Sequence, residues 1–285
     1  MPEAGLGNRV LRGLRNADLR RYLRDKTKRR WDVDYTFGVI RTMRNWPDVL
    51  LEDQLKRTGS VEYVLRNGVR YQVRPRTTDR DIILEIWNES CYTPAGFEIS
   101  TADVVVDIGA HIGVFSVFAS RLASKGRVYS VEPVPENFEM LKRNLIANGM
   151  DRVVALNLAV SDKRGVTDLF ICGGNTGGNS LLSTFGGNAV TSRISVNTVS
   201  LSDMMSENAI SEIDFLKMDC EGGEYAIMYS CPDRVVSSIK KISMEYHNID
   251  SDKRNGKAMK AFLESKGFRV DMRTGDWQLL YAIRS

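Results

Sequence analysis

Residues 104–113 read Val-Val-Val-Asp-Ile-Gly-Ala-His-Ile-Gly, and nineteen positions beyond Gly113 stands Glu132, in Tyr-Ser-Val-Glu-Pro. An apolar run of strand length that ends in an acid and two glycines, and then opens a helix, describes the ligand-binding first turn of an α/β sheet. The spacing selects the ligand. A dinucleotide turn needs G-x-G-x-x-G, so that amides at the helix N-terminus can hold a pyrophosphate. Here Gly109 and Gly113 follow Asp107 in a D-x-G-x-x-x-G pattern, which suits S-adenosylmethionine, a ligand with no pyrophosphate. Its sulfonium and amino groups are cationic, so a carboxylate at the strand end is electrostatically sensible, and a bare Gly109 lets the backbone approach the ligand. Glu132 ends the next expected strand, where a carboxylate can accept both ribose hydroxyls. The competing structural reading makes the glycines turn and packing residues and Glu132 a solvated acid; the register strand, turn, helix, strand favours the cofactor.

The alternation continues outward. Strands are expected at Val104–Asp107, Arg127–Glu132, Val153–Leu158, Ile213–Met218 and Ile239–Tyr246, with two final strands at Phe268–Met272 and Gln278–Ile283. Helices are expected from Val114 to Leu122, from Pro135 until Gly149 stops it, and over Lys257–Lys266. This order predicts a Rossmann-like, doubly wound α/β fold, its sheet mostly parallel with an antiparallel C-terminal strand. The main domain is placed at 61–285. Its lead-in, 61–100, holds a hairpin around Asn67-Gly68 and a helix over 81–97 that breaks at Pro94 and Gly96. Residues 172–188 are glycine-rich and are expected to be a mobile loop, either a substrate lid or a plain connector.

The 285 residues carry a net charge of +4, unevenly spread. Residues 1–60 hold 14 Lys/Arg against 8 Asp/Glu, and the remainder 26 against 28. A basic, mainly helical N-terminal segment therefore precedes a nearly neutral domain, which argues against a nucleic-acid substrate. Within it, Arg9–Trp31 is either an amphipathic arm for anionic lipid or a phosphate-bearing substrate, or a cap with solvated arginines. A second helical piece is expected over Phe37–Leu55, interrupted at Trp46-Pro47. No run is long enough to span a bilayer and no secretory signal is visible, so a cytoplasmic location is expected. The four cysteines form no C-x-x-C pair, which predicts neither a disulfide framework nor a zinc site.

Four ordered blocks carry a resemblance: Val-Asp-Ile-Gly-Ala-His-Ile-Gly; Val-Glu-Pro-Val-Pro-Glu-Asn-Phe-Glu-Met-Leu-Lys-Arg-Asn; Asn157-Leu-Ala-Val-Ser-Asp; and Lys217-Met-Asp-Cys-Glu-Gly-Gly-Glu224. From about residue 60 to 250 the chain resembles the FkbM-type S-adenosylmethionine-dependent methyltransferases, which generally methylate hydroxyl oxygens of sugars, polyketides and related small molecules. The resemblance implies an O-methyltransferase acting on a small-molecule or glycan acceptor. His111 stands where the family usually has Asn; both can donate to a carboxylate. The expected cofactor set is Asp107, Gly109, Ala110, His111, Gly113, Glu132, Asn157, Ala159 and Asp219.

Ligands of such sheets bind beyond the carboxyl ends of the strands. The fourth strand brings Lys217, Asp219 and Glu221 there, and the fifth brings Glu245 and His247. Lys217 and Asp219 share a face and could form a buried ion pair. His247 is the expected general base, since imidazole titrates near neutrality, with Asp219 and Glu245 orienting the acceptor; a plain loop histidine is the alternative. The spacing also permits Mg²⁺ on Asp219, Glu221 and Glu245 without demanding it. Two other classes stay open: a nicotinamide-dependent oxidoreductase, disfavoured by the missing third glycine, and a non-catalytic interaction module, disfavoured by the converging acids.

Overall fold

The computed structural model describes residues 32–52, 58–172, 179–180, 190–273 and 278–284. The Arg9–Trp31 arm and most of the glycine-rich 172–188 stretch lie outside them.

Seven strands form one sheet: β3 (Val104–Ile108), β4 (Arg127–Val131), β5 (Val153–Leu156), β9 (Ile213–Met218), β10 (Ile239–Glu245), β11 (Phe268–Arg273) and β12 (Leu279–Arg284). Their spatial order is β11-β12-β10-β9-β3-β4-β5. The pairs from β10 to β5 are parallel, while β12 runs antiparallel between β10 and β11. The doubly wound, mostly parallel sheet with a reversed C-terminal strand is therefore as the sequence indicates. Strands buried on both faces read as continuous apolar runs, and alternation splits them between two cores. Val105 and Phe215 face one core; Val106, Ile108, Leu216 and Met218 face the other.

The first face is covered by α4 (Val114–Leu122), α5 (Pro135–Ala147) and the lead-in. The lead-in comprises α1 (Asp32–Thr42), α2 (Trp46–Leu50), the hairpin of β1 (Val61–Val64) and β2 (Arg70–Val73), and α3 (Asp79–Trp87). The expected helix over 81–97 is shorter than its pattern: it ends at Trp87, and turns run on to Phe97. Asn144 of α5 and Asn148, which caps its C-terminus, serve the hairpin edge. Asn144 accepts from Gln72 N (2.7 Å) and donates to Gln72 O, and Asn148 does the same for Arg70. Carboxamides thus replace a neighbouring strand as partners of the edge's backbone groups, and they fix the hairpin against α5.

The second face is covered by α6 (Leu201–Glu207), α7 (Glu224–Ser230), α8 (Asp233–Ser237) and α9 (Gly256–Ser265). Between β5 and α6 lies a three-stranded sheet in the order β6-β8-β7, formed by β6 (Ala159–Ser161), β7 (Gly165–Cys172) and β8 (Val190–Ser200). The sequence reading missed this sheet. It stands on the glycine-rich segment's two flanks, and Phe170 pairs with Ser180 across its edge.

Candidate functional site

The carboxyl ends of β3, β4 and β9 open onto a cleft of about 900 Å³, its mouth included, whose floor is Gly109, Ala110, His111 and Glu132. The two loops that shape it both hold strained backbone. His111 (φ 51°) and Glu221 (φ 52°) occupy the left-handed region, which costs a side chain about 1–2 kcal/mol and is tolerated where the surroundings over-determine it.

Each expected cofactor residue has a definite place. Glu132 is buried and lines the cleft. Its Oε2 accepts from His111 N (2.8 Å), and its Oε1 from Val134 N (2.9 Å) and Asn137 Nδ2 (3.3 Å). A carboxylate has about four acceptor positions, so one remains for a ligand hydroxyl rather than the two the sequence suggested. Burial pushes its pKa up to about 7 despite those bonds. Ala110 and Ala159 line the cleft as well. Gly109 does too, but the need for glycine comes from the protein: a Cβ there would sit 1.7 Å from the Asp219 carbonyl oxygen.

Asp107, Gly113 and Asn157 stand back from the cleft. Asp107 is wholly buried beneath the turn, accepting from Ser116 Oγ at 2.7 Å and pairing with Lys217 Nζ at 3.2 Å. The expectation that its charge faces the cationic cofactor is corrected by that pairing. Gly113, at φ 83°, caps α4 and lies against Leu141. Asn157 is exposed and donates to the carbonyls of Glu132 and Pro133, bracing the acidic loop from outside and ending β5 early.

Lys217 is a buried cation at the cleft wall. Its Nζ donates to Gly109 O (2.8 Å), lies 3.8 Å from Asp219 and sits over the Tyr92 ring. Burial works against its charge, but Asp107 and Asp219 outweigh burial and raise its pKa. Tyr92 donates to Asp219 Oδ2 at 2.9 Å. Tyr92 and Glu85 reach the cleft from the lead-in, and sequence reasoning singled out neither.

Beyond Asp219 lies a cluster of acids around one imidazole. His247 Nδ1 lies 3.1 Å from Glu224, and Nε2 lies 3.4 Å from Glu221 and 3.8 Å from Glu245. Its carbonyl accepts from Tyr225 OH. Burial disfavours the charged ring, but the Glu224 hydrogen bond and the surrounding carboxylates outweigh it, raising the pKa to about 9. Burial, then repulsion from Asp219, raises Glu221 to about 8 and Glu245 to about 7. These surroundings favour the charged ring, above the near-neutral titration expected of a base. Asp219 and Glu221 face the cleft, and His247 and Glu245 stand behind them. Asp219, Glu221 and His247 also offer ligand atoms within 4.8 Å of one another, so the imidazole takes the place expected for Glu245 in a cation-binding set.

Among the described residues no helix is long and apolar enough to cross a membrane. The chain is 29% identical over 192 residues to the 31-O-demethyl-FK506 methyltransferase FkbM of Streptomyces tacrolimicus, covering 58% of this chain and 74% of the relative. It is 25% identical over 251 residues to the methyltransferase sdnD of Sordaria araneosa, covering 77% and 93%. The model of the methyltransferase FkbM domain matches residues 107–270, a span that begins at Asp107 and takes in the β3, β4, β9 and β10 strand ends. The chain belongs to the FkbM methyltransferase family, with S-adenosylmethionine as its methyl donor.

Proposed function

We propose that this methyltransferase acts on a hydroxyl oxygen of a small-molecule or glycan acceptor. The observation that carries the reading is the pair of carboxylates, Asp219 and Glu221, at the cleft wall with His247 behind them. The FkbM relative supports it, since its name places the transferred group on an oxygen.

The cleft fits the methyl donor on two grounds: Glu132 keeps one acceptor position for a hydroxyl, and Ile108, Val131, Val134, Leu158 and Val160 give an apolar wall for a flat base. When bound, S-adenosylmethionine supplies an electrophilic methyl carbon on sulfur. The chain's part is to align the acceptor oxygen and take its proton. Alignment contributes up to roughly 7–11 kcal/mol in favourable cases. The hydroxyl proton passes to Glu221 in its ionised form as the oxygen–carbon bond forms and the carbon–sulfur bond breaks, leaving the thioether product. His247 holds Glu221 in place as a cation, and Asp219, bonded to Tyr92, orients the acceptor. Glu245 completes the cluster's charge. Glu221→Gln is expected to lower kcat by about 10²–10⁴-fold, the range for a general base, with S-adenosylhomocysteine affinity unchanged. A variant retaining normal turnover would remove the base from this mechanism.

One observation favours a second reading, in which a divalent cation binds Asp219, Glu221 and His247 and polarises the acceptor hydroxyl. His247 has the layout for it, since Glu224 holds Nδ1 and Nε2 faces the acids. Methyl transfer abolished by chelator and restored by Mg²⁺ or Mn²⁺ would establish that reading. Full activity in chelator would leave proton transfer to Glu221.

A further inference from the structure

His111 departs from the family's usual asparagine, and its ring has a partner that the family blocks do not contain. Nε2 lies 3.0 Å from Arg74 Nη2, and Arg74 is itself locked to the wholly buried Asp79. Arg74 gives Asp79 Oδ2 its backbone N (2.8 Å) and its Nε (3.1 Å), and gives Oδ1 its Nη2 (3.0 Å). A guanidinium donates and never accepts. Nε2 also lies 3.4 Å from Asp79 Oδ1, but the Arg74 donor is nearer, and with Nε2 as its acceptor the ring proton is left on Nδ1. Nδ1 is buried and has no hydrogen-bond partner among the described residues, although the ring lines the cleft. A buried donor without an acceptor is costly, and native structures seldom retain one unless a ligand or water completes it.

We propose that Arg74 and Asp79 are positioning residues of the donor site, which fix His111 in its Nδ1–H tautomer so that this N–H is offered to the α-carboxylate of the methyl donor. The inference rests on the reading that this cleft holds S-adenosylmethionine, and it gives the hairpin lead-in a task in cofactor recognition. Asp79 is the buried anchor, Arg74 carries its orientation to the ring, and His111 presents a neutral donor. Neutrality follows from the surroundings: burial pushes the His111 pKa down to about 4, against the pull of Asp79. A neutral donor suits this place. The ligand's cationic ammonium and sulfonium lie in the same molecule, and a second positive ring would repel them.

The chain has only two histidines, so imidazole ¹⁵N resonances are assignable with a single substitution. In the ligand-free wild type His111 is expected to show a protonated Nδ1 and an unprotonated Nε2, and Arg74→Met should mix the tautomers. An Nε2–H ring in the wild type would overturn the proposal. Calorimetry then tests the carboxylate with two ligands, S-adenosylhomocysteine and methylthioadenosine, of which the second lacks the amino-acid portion. His111→Ala should weaken the first by about tenfold or more, as expected for a lost bond to a charged group, and leave the second unchanged. Equal losses for both ligands would make the ring a structural support and overturn the carboxylate assignment. His111→Asn should retain affinity, since its amide donates unaided. Adding Arg74→Met to that variant should then cost little, the two changes being coupled through the ring. If the folded wild type bound neither ligand, the cofactor reading itself would fail, whatever the tautomer.

Discussion

Glu224, wholly buried at the start of α7, holds His247 by Nδ1 at 3.1 Å across the ends of β9 and β10. The same Oε1 accepts from Cys220 N (3.1 Å) and Gly222 N (3.3 Å), so one carboxylate both shapes the strained Glu221 loop and charges the imidazole behind it. Glu224→Gln keeps an acceptor but removes the charge. The His247 pKa should fall from about 9 toward its ordinary value near 6.5 in an NMR titration. An unmoved titration would show that Glu221 and Asp219 set the charge without Glu224.

Ligand-free stability should decline from pH 6.5 to pH 9. His247 is raised to about 9, so its contribution is fully present below about 6.5 and lost as pH climbs through 9. Burial raises Glu132 and Glu245 to about 7, and Glu85 and Glu221 to about 8. These acids ionise near 4.3 when unfolded. For all five groups the folded chain holds more protons than the unfolded chain in this window, and stability falls with pH wherever that is so. A Tm that rose between pH 6.5 and 9 would contradict these surroundings.

Gly109→Ala and Gly149→Ala separate conformational strain from crowding. Both glycines have positive φ, 76° and 65°, so each alanine should lose about 1–2 kcal/mol for adopting the left-handed region. At Gly149 nothing among the described residues lies within 4 Å of the added carbon, and that loss should be all. At Gly109 the Asp219 carbonyl is 1.7 Å away, so the ends of β3 and β9 must part. Urea denaturation should show the larger loss at Gly109, together with loss of S-adenosylhomocysteine binding. Equal losses would mean that the strand ends can spread freely.

Glu132→Ala should weaken S-adenosylhomocysteine by about 1.5–3 kcal/mol, the range for a hydrogen bond to a charged group. It should also lower Tm, because His111 N and Val134 N lose their acceptor. Unchanged calorimetric affinity in a folded variant would remove the ribose assignment.

The parallel sheet was legible because Val104–Ile108 and Ile213–Met218 are mostly apolar runs of strand length, and Asp107, Glu132 and Asp219 mark strand ends. The small sheet was not. Val190–Ser200 does alternate, with Ile194, Val196 and Thr198 on one side, but the glycines before it dominated the local signal. Asp107 and Glu132 look alike in sequence, yet only Glu132 reaches the cleft. The difference is Lys217, more than a hundred positions away, which claims Asp107. Asp79, Glu85 and Tyr92 carry no strand-end signature, and Arg74 follows a hairpin strand outside the main sheet, so tertiary packing of the lead-in delivers all four.

The reversed β12 has a consequence for how the chain acquires its shape during synthesis. β10 finds its outer partner only when residues 279–284 arrive, and Tyr246 N donates to Gln278 O just beyond that ladder. Until those residues emerge from the ribosome, β10 presents an open strand edge, and Tyr246 N lacks the carbonyl it donates to. The donor-binding turn draws on β3 and β4, which are made much earlier. A nascent chain arrested before residue 278 should therefore expose an aggregation-prone edge and recruit holdase chaperones that the chain no longer engages once β12 has docked.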